Sequence, residues 1–95
     1  MKISEITLRD VKNALRIDYS HDDFRIENEI MPAVVSRLKV LTNRDEEDLD
    51  NFPELVTAYF CLASDYYDGT SERERAAESI CHGVQLNLVG VPPLS

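Results

Sequence analysis

Cys61, Cys81, His21 and His82 are the thiol and imidazole groups this 95-residue chain offers for chemistry. A nucleophile needs an oriented base within hydrogen-bond reach, and no motif joins these four. His21 stands beside an expected helix start. His82 follows Cys81 near an expected helix end, where a positive charge would suit the dipole. The Cys81-His82 pair has no second pair at zinc-site spacing. The acidic run Asp45-Glu46-Glu47-Asp48, with Asp50 just beyond, lacks the alternating aspartates, turn glycine and later glutamate of a calcium loop. Three widely spaced glycines exclude a phosphate-cradling loop. Tyr59, Tyr66 and Tyr67 share helical spacing but lack the lysines and arginines of a base-stacking surface, so they read as core residues with hydroxyls at the edge. The expectation is no catalytic residue, no cofactor and no metal, with function arising from association.

The charge pattern points the same way. Basic residues number 10 and acidic ones 18, a net charge of −8. That argues against a general DNA-binding module, which needs cations to displace counterions from phosphates. Residues 1–43 are neutral, with seven charges of each sign, so the whole excess lies in residues 44–95. Such an acidic half could be a solvated surface, face a basic partner, or keep a polyanion from adhering. Hydrophobic residues at 43% and charged ones at 29% are an ordinary globular mixture. No apolar run approaches the length of a membrane span. The start Met1-Lys2-Ile3-Ser4-Glu5 lacks a signal peptide's apolar stretch, so an intracellular protein with two free, buried or half-buried thiols is expected.

The elements that must position these groups read as helices. The first runs from Thr7 to about Arg16, with Thr7 and Asp10 as a capping box and Leu8, Val11 and Leu15 on one face. The second starts after Ser20, with Asp23 at the capping-box position. Its inner stripe is Ile26, Ile30, Val34, Leu38 and Leu41, flanked by Met31 and Val35, and it ends near Thr42-Asn43. Pro32 should kink or break it. After the acidic connection from Arg44 to Asn51, Pro53 suits the first turn of a third helix. Leu55, Tyr59, Leu62 and Tyr66 form one stripe, and Val56, Phe60, Ala63 and Tyr67 a second. So wide an apolar face belongs at the centre of a bundle. Gly69 ends that helix. Ser71 and Glu74 box a fourth, from Glu72 to about His82 or beyond, with Ala76, Ala77, Ile80 and Val84 inside. Gly83 could end it, leaving Val84 to Leu88 as a last turn or an extended piece. The expected fold is all-α: a bundle of four to five helices over residues 1–88 and an extended apolar tail over 89–95, carrying Val89, Val91, Pro92, Pro93 and Leu94.

In this order the segments resemble the small helical head–tail connector, or head-completion, proteins of long-tailed bacteriophages. The stretch Ile6-Thr7-Leu8-Arg9-Asp10-Val11-Lys12-Asn13-Ala14-Leu15-Arg16-Ile17-Asp18, followed by Asp22-Asp23 and the apolar Ile26, Ile30 and Met31, is similar to that family's N-terminal signature. Thr42-Asn43-Arg44 looks like the family's end of the long helix. The segment from Phe52 to Asp68 is similar to its apolar central helix, which closes on an aromatic pair. The likeness covers roughly residues 3 to 70. Tyr66-Tyr67 stands where the family usually has Trp-Tyr, Gly69 where an Arg is common, and Pro32 departs from its long helix. Val84 to Ser95 matches the family poorly.

The resemblance implies a structural, non-enzymatic subunit that closes into a ring beneath the portal vertex of a phage or prophage capsid. Such a ring extends the DNA channel and receives tail-completion or stopper proteins. The implied partners are further copies of the chain, the portal protein and those tail components, with DNA passing nearby without sequence-specific binding and no membrane. The implied location is the host cytoplasm during assembly, then the head–tail junction of the virion. Two expectations about sites follow. Asp45, Glu46, Glu47, Asp48 and Asp50 face the channel, where their charge repels phosphate within a Debye length. The tail from Val89 to Leu94 docks on a neighbour or on the portal. The rival reading is an acidic antitoxin-like or inhibitor-like protein that masks a basic partner.

Overall fold

The computed structural model of the chain describes residues 2–88, and every regular element among them is helical. A 3-10 turn (Ile3–Glu5) precedes α1 (Leu8–Leu15). Next come α2 (Asp23–Arg25), a π-helical turn (Ile26–Ile30) and α3 (Met31–Thr42), which follow one another without a break. The short α4 (Glu46–Leu49) occupies the acidic connection, and α5 (Leu55–Asp68) and α6 (Glu74–Leu88) complete the bundle.

Helix α1 starts as its residue types demand. The Thr7 hydroxyl oxygen accepts from the Asp10 N–H at 3.2 Å, and the Asp10 carboxylate accepts from the Thr7 N–H at 2.9 Å, so two otherwise orphaned donors are satisfied reciprocally. Three helices end on a residue with left-handed backbone: α1 on Arg16 (φ 60°), α3 on Asn43 (φ 57°) and α5 on Gly69 (φ 72°). At each end the next N–H reaches back five residues, Ile17 to the Lys12 carbonyl, Arg44 to Lys39 and Thr70 to Asp65, which closes the last turn. Glycine takes this conformation freely and asparagine tolerates it, whereas arginine is an uncommon choice.

Pro32 does not break the long rod. It lies at the first turn of α3, and the turn before it widens so that the Met31 N–H bonds the Ile26 carbonyl, five residues back. A proline lacks the N–H that a regular turn would use and crowds the carbonyl four residues earlier. A wider π turn relieves both while the rod continues.

The stripes expected from periodicity pack as the core. Val11 of α1, Ile26, Ile30, Val34 and Leu38 of the rod, and Leu55, Ala58, Tyr59, Leu62 and Ala63 of α5 are buried. Helix α5 packs against α6, α3, α1, the π turn and the N-terminal 3-10 turn, hence its wide apolar face. On α6 the inner face is Ala77, Cys81 and Val84, with Ile80 half-buried. Ala76, expected inside, is exposed. Cys81 takes that share of the core because a free thiol packs as a small hydrophobe. Gly83 does not end α6, which runs to Leu88.

Two expected capping boxes are replaced by contacts from farther away. At the rod's start the Asp23 carboxylate lies 2.7 Å from Lys12 Nζ on α1, and Ser20 supplies only its carbonyl, to the Asp23 N–H. At α6 the Ser71 carbonyl accepts from the Glu74 N–H, while the carboxylate that caps the incoming turn is Asp65 of α5. In both places tertiary packing brings a better charge partner than the local side chain.

Candidate interaction surfaces

The acidic run divides into residues committed to local structure and residues facing out. Asp45 caps α4, its carboxylate accepting from the Asp48 N–H at 3.2 Å. Asp48 sits 3.6 Å from Arg44, whose guanidinium lies 4.5 Å from the centre of the Phe52 ring, an arrangement in which the ring face helps hold the cation. Asp50 accepts from both the backbone N–H of Ser4 (2.9 Å) and its hydroxyl (2.7 Å), pinning the N-terminal turn beside α4. Those two bonds hold the Asp50 carboxyl below its ordinary range. Glu46 and Glu47 are exposed and take part in no ion pair among the described residues. Of the five carboxylates expected to act together, two are therefore free to meet something outside the subunit. Val89, Val91, Pro92, Pro93 and Leu94 lie outside the described residues.

Two other carboxylates, which spacing did not single out, organise the corners between helices. Asp65, 1% exposed, accepts from the Thr70 hydroxyl at 3.0 Å and the Arg73 N–H at 2.9 Å, with the Arg73 guanidinium 3.9 Å away. Its outward sign in the sequence is an acid one turn before Gly69, inside an otherwise apolar helix. Asp22 accepts from the Tyr67 hydroxyl at 2.7 Å, and the Tyr19 hydroxyl lies 2.6 Å from that of Tyr67. The Tyr19 and Asp22 contacts hold the Tyr67 phenol in its neutral form, well above its ordinary pKa. Arg25 stacks 5.3 Å from the same ring, and its guanidinium is 3.4 Å from the carbonyls of Tyr66 and Tyr67. The end of α5 is thereby tied to the loop after α1.

The basic side chains sort in the same way. Lys12 meets Asp23, Arg37 spans Glu74 and Glu78 at 3.4 and 3.6 Å, and Arg44 and Arg73 are engaged as above. On α1, Arg9 and Asn13 lie one turn apart on the exposed side and Arg16 closes the helix, also exposed. Neither arginine joins an ion pair among the described residues. Arg9 borders a recess of about 420 Å³, lined also by Leu8, Lys12, Asn13, Asp18 and Asp23 among others. Exposed apolar surface falls mainly on the rod, with Phe24 75% and Val40 69% accessible.

His21 and His82 are exposed on separate elements. Cys61 is half-buried and Cys81 buried, both free, and burial pushes the Cys81 thiol up to about 11. Among the described residues no three acids, histidines or cysteines are grouped to hold a metal ion. Among the same residues no helix is long and apolar enough to cross a membrane. Comparison of the chain with family models, curated proteins and solved structures finds no match in any of the three.

Proposed function

We propose that the chain is a structural subunit of a head–tail connector: a non-enzymatic protein whose copies close into a ring on a phage or prophage portal and receive the next tail component. The observation that carries the reading is the order of the helices under the resembling stretches. The Thr7–Asp18 signature forms a capped short helix and its turn, the acidic pair Asp22-Asp23 opens a long rod, and the Phe52–Asp68 segment is the central helix closing on Tyr66-Tyr67. Exposed Phe24 and Val40 on the rod supply apolar surface of the kind that head-to-tail contacts between two different faces would cover.

The test is assembly. The purified chain is followed by sedimentation velocity and electron microscopy over rising concentration, alone and with portal-bearing capsids. Rings, formed alone or on the portal, are the expected result. A particle that stays monomeric at every concentration and ignores the portal overturns the reading.

A further inference from the structure

We infer that residues 89–95 fold back on their own subunit and seat Val91, Pro92, Pro93 and Leu94 in the recess between the N-terminal 3-10 turn and the long rod. There the Tyr59 hydroxyl donates a hydrogen bond to one of their carbonyls. That puts the tail on its own subunit rather than on a neighbour or the portal, whether or not copies of the chain close into a ring.

The recess holds about 420 Å³, and its walls include Ile3 and Ile6 from the N-terminal segment, Met31, Pro32 and Val35 from the rod, and Tyr59 from α5. Tyr59 is 2% exposed, and its hydroxyl makes no hydrogen bond among the described residues. Burial alone pushes that phenol up to about 12, so it stays protonated and able to donate. A tyrosine so deeply buried normally finds a partner for its hydroxyl. An unmet donor lining an apolar recess therefore calls for an acceptor carried by whatever fills it.

The chemistry of the tail matches. Val89, Val91, Pro92, Pro93 and Leu94 are apolar, and no residue in 89–95 is charged. Pro92 and Pro93 lack N–H groups, so this stretch carries more carbonyls than donors. Paired prolines favour the polyproline II conformation, and apolar grooves bearing an aromatic side chain take such segments at little cost in chain entropy. The rim suits a neutral guest, because Lys39 stands there against Glu27 and Glu46.

Reach favours the chain's own tail over a separate partner. Helix α6 starts beside Asp65, near the end of α5, and packs back along that helix. Leu88 therefore lies toward the end of the bundle where α5 begins and α4 precedes it. The recess reaches the same end, with Glu46 of α4 on its rim and Ser4, tied to Asp50, beside it. Arg37 faces α6 and Lys39 the recess, so the tail must pass around the end of the rod. Across its long axis the molecule measures 25 × 18 Å, and seven residues in polyproline II span about 22 Å. A segment tethered this closely is present at an effective concentration on the order of millimolar, which a free partner would have to exceed.

The experiment is NMR on the full chain at two concentrations, and on a mixture of isotope-labelled and unlabelled chains. Nuclear Overhauser contacts from the Val91 and Leu94 methyls to Val35 or the Tyr59 ring should appear within one chain and persist on dilution. Val91→Asp/Leu94→Asp should abolish them and return the tail shifts to random-coil values, with helix content unchanged by circular dichroism. Tyr59→Phe keeps the ring in the core and should weaken docking about fivefold, the loss expected for one hydrogen bond. That loss is read as tail shifts moving toward those of the double variant. Tail methyls that make no contact with the recess overturn the inference. So do contacts found only between labelled and unlabelled chains, which would give the recess to a second copy's tail. Docking indifferent to Tyr59→Phe overturns the part assigned to the hydroxyl.

Discussion

The corner between α5 and α6 and the corner between α1 and the long rod solve one problem with different materials. Each must hold a helix start against the end of a neighbouring helix, and each uses an aspartate. At the first, Asp65 is almost fully buried and takes the Thr70 hydroxyl and the Arg73 N–H within a short stretch of chain. At the second, Asp22 is half-exposed and is reached by Tyr67 from 45 residues away, with Tyr19 and Arg25 adding a hydroxyl and a cation. The buried corner is local in sequence and dry; the other is long-range and wet. A hydrogen bond shielded from water cannot be replaced by solvent when a partner is removed, whereas one at the surface largely can. The two corners should therefore fail by different amounts.

Asp65→Ala is the strongest test. It strips the carboxylate from the Arg73 N–H, the Thr70 hydroxyl and the Arg73 guanidinium together. Hydrogen bonds to charged groups and loss of a helix cap suggest a cost of about 3 kcal/mol. For a domain of this size that lowers Tm by roughly 15 °C. Thermal unfolding checks it, with Asp65→Asn expected to fall between wild type and Ala because the amide oxygen still accepts. A shift as small as that of a surface substitution would show that solvent enters the corner freely, and the contrast with Asp22 would vanish.

Tyr67→Phe probes the wet corner. It removes the bond to Asp22 and the contact with Tyr19 but keeps the ring under Arg25. Water can satisfy the freed carboxylate, so the expected cost is about 1 kcal/mol, or roughly 5 °C in Tm. Hydrogen exchange should rise first in residues 17–25, where the tether acts, and leave the middle of α5 protected.

The same contrast explains what could be read from the sequence. The stripe Ile26, Ile30, Val34, Leu38 and the paired stripes of α5 were legible because burial follows helical periodicity wherever one face is apolar. The Thr7–Asp10 box was legible because both partners lie within one turn. The Ser20–Asp23 and Ser71–Glu74 boxes were equally well formed as patterns, yet Lys12 and Asp65 displaced them. Each lies more than two helical turns away, outside the four-residue window of a capping box. Ala76 gave way to Cys81 because alanine is small enough to sit on either side of a helix boundary, while a thiol gains more from burial. Pro32 was read as a kink or a break because the remedy, a widened turn, has no residue signature of its own. For the surfaces, the acidic run was visible as a block. The roles of Asp45 and Asp48 within it are local, but that of Asp50 depends on Ser4, 46 residues away.

The smallest expected effect is at the tether made by Asp50, a third aspartate, more open than either corner, and pH resolves it. Ser4 donates two hydrogen bonds that favour the ionised carboxylate, so the folded-state pKa lies below the ordinary value of 3.8. A group depressed in this way adds stability above its unfolded pKa, and that stability is lost as pH falls through the folded value. Wild type and Asp50→Asn should therefore differ most near neutrality, by less than the Tyr67→Phe shift, and their melting curves should converge as the solution is acidified below pH 3.8. The asparagine keeps an acceptor for one Ser4 donor, which limits the loss at neutral pH. Should the gap between the two proteins stay constant down to the acid limit, the Ser4 bonds do not discriminate between the charged and neutral carboxyl. The N-terminal turn would then be held by its apolar contacts alone, with Ile3 and Ile6 in the core and Asp50 contributing nothing specific to where the turn sits.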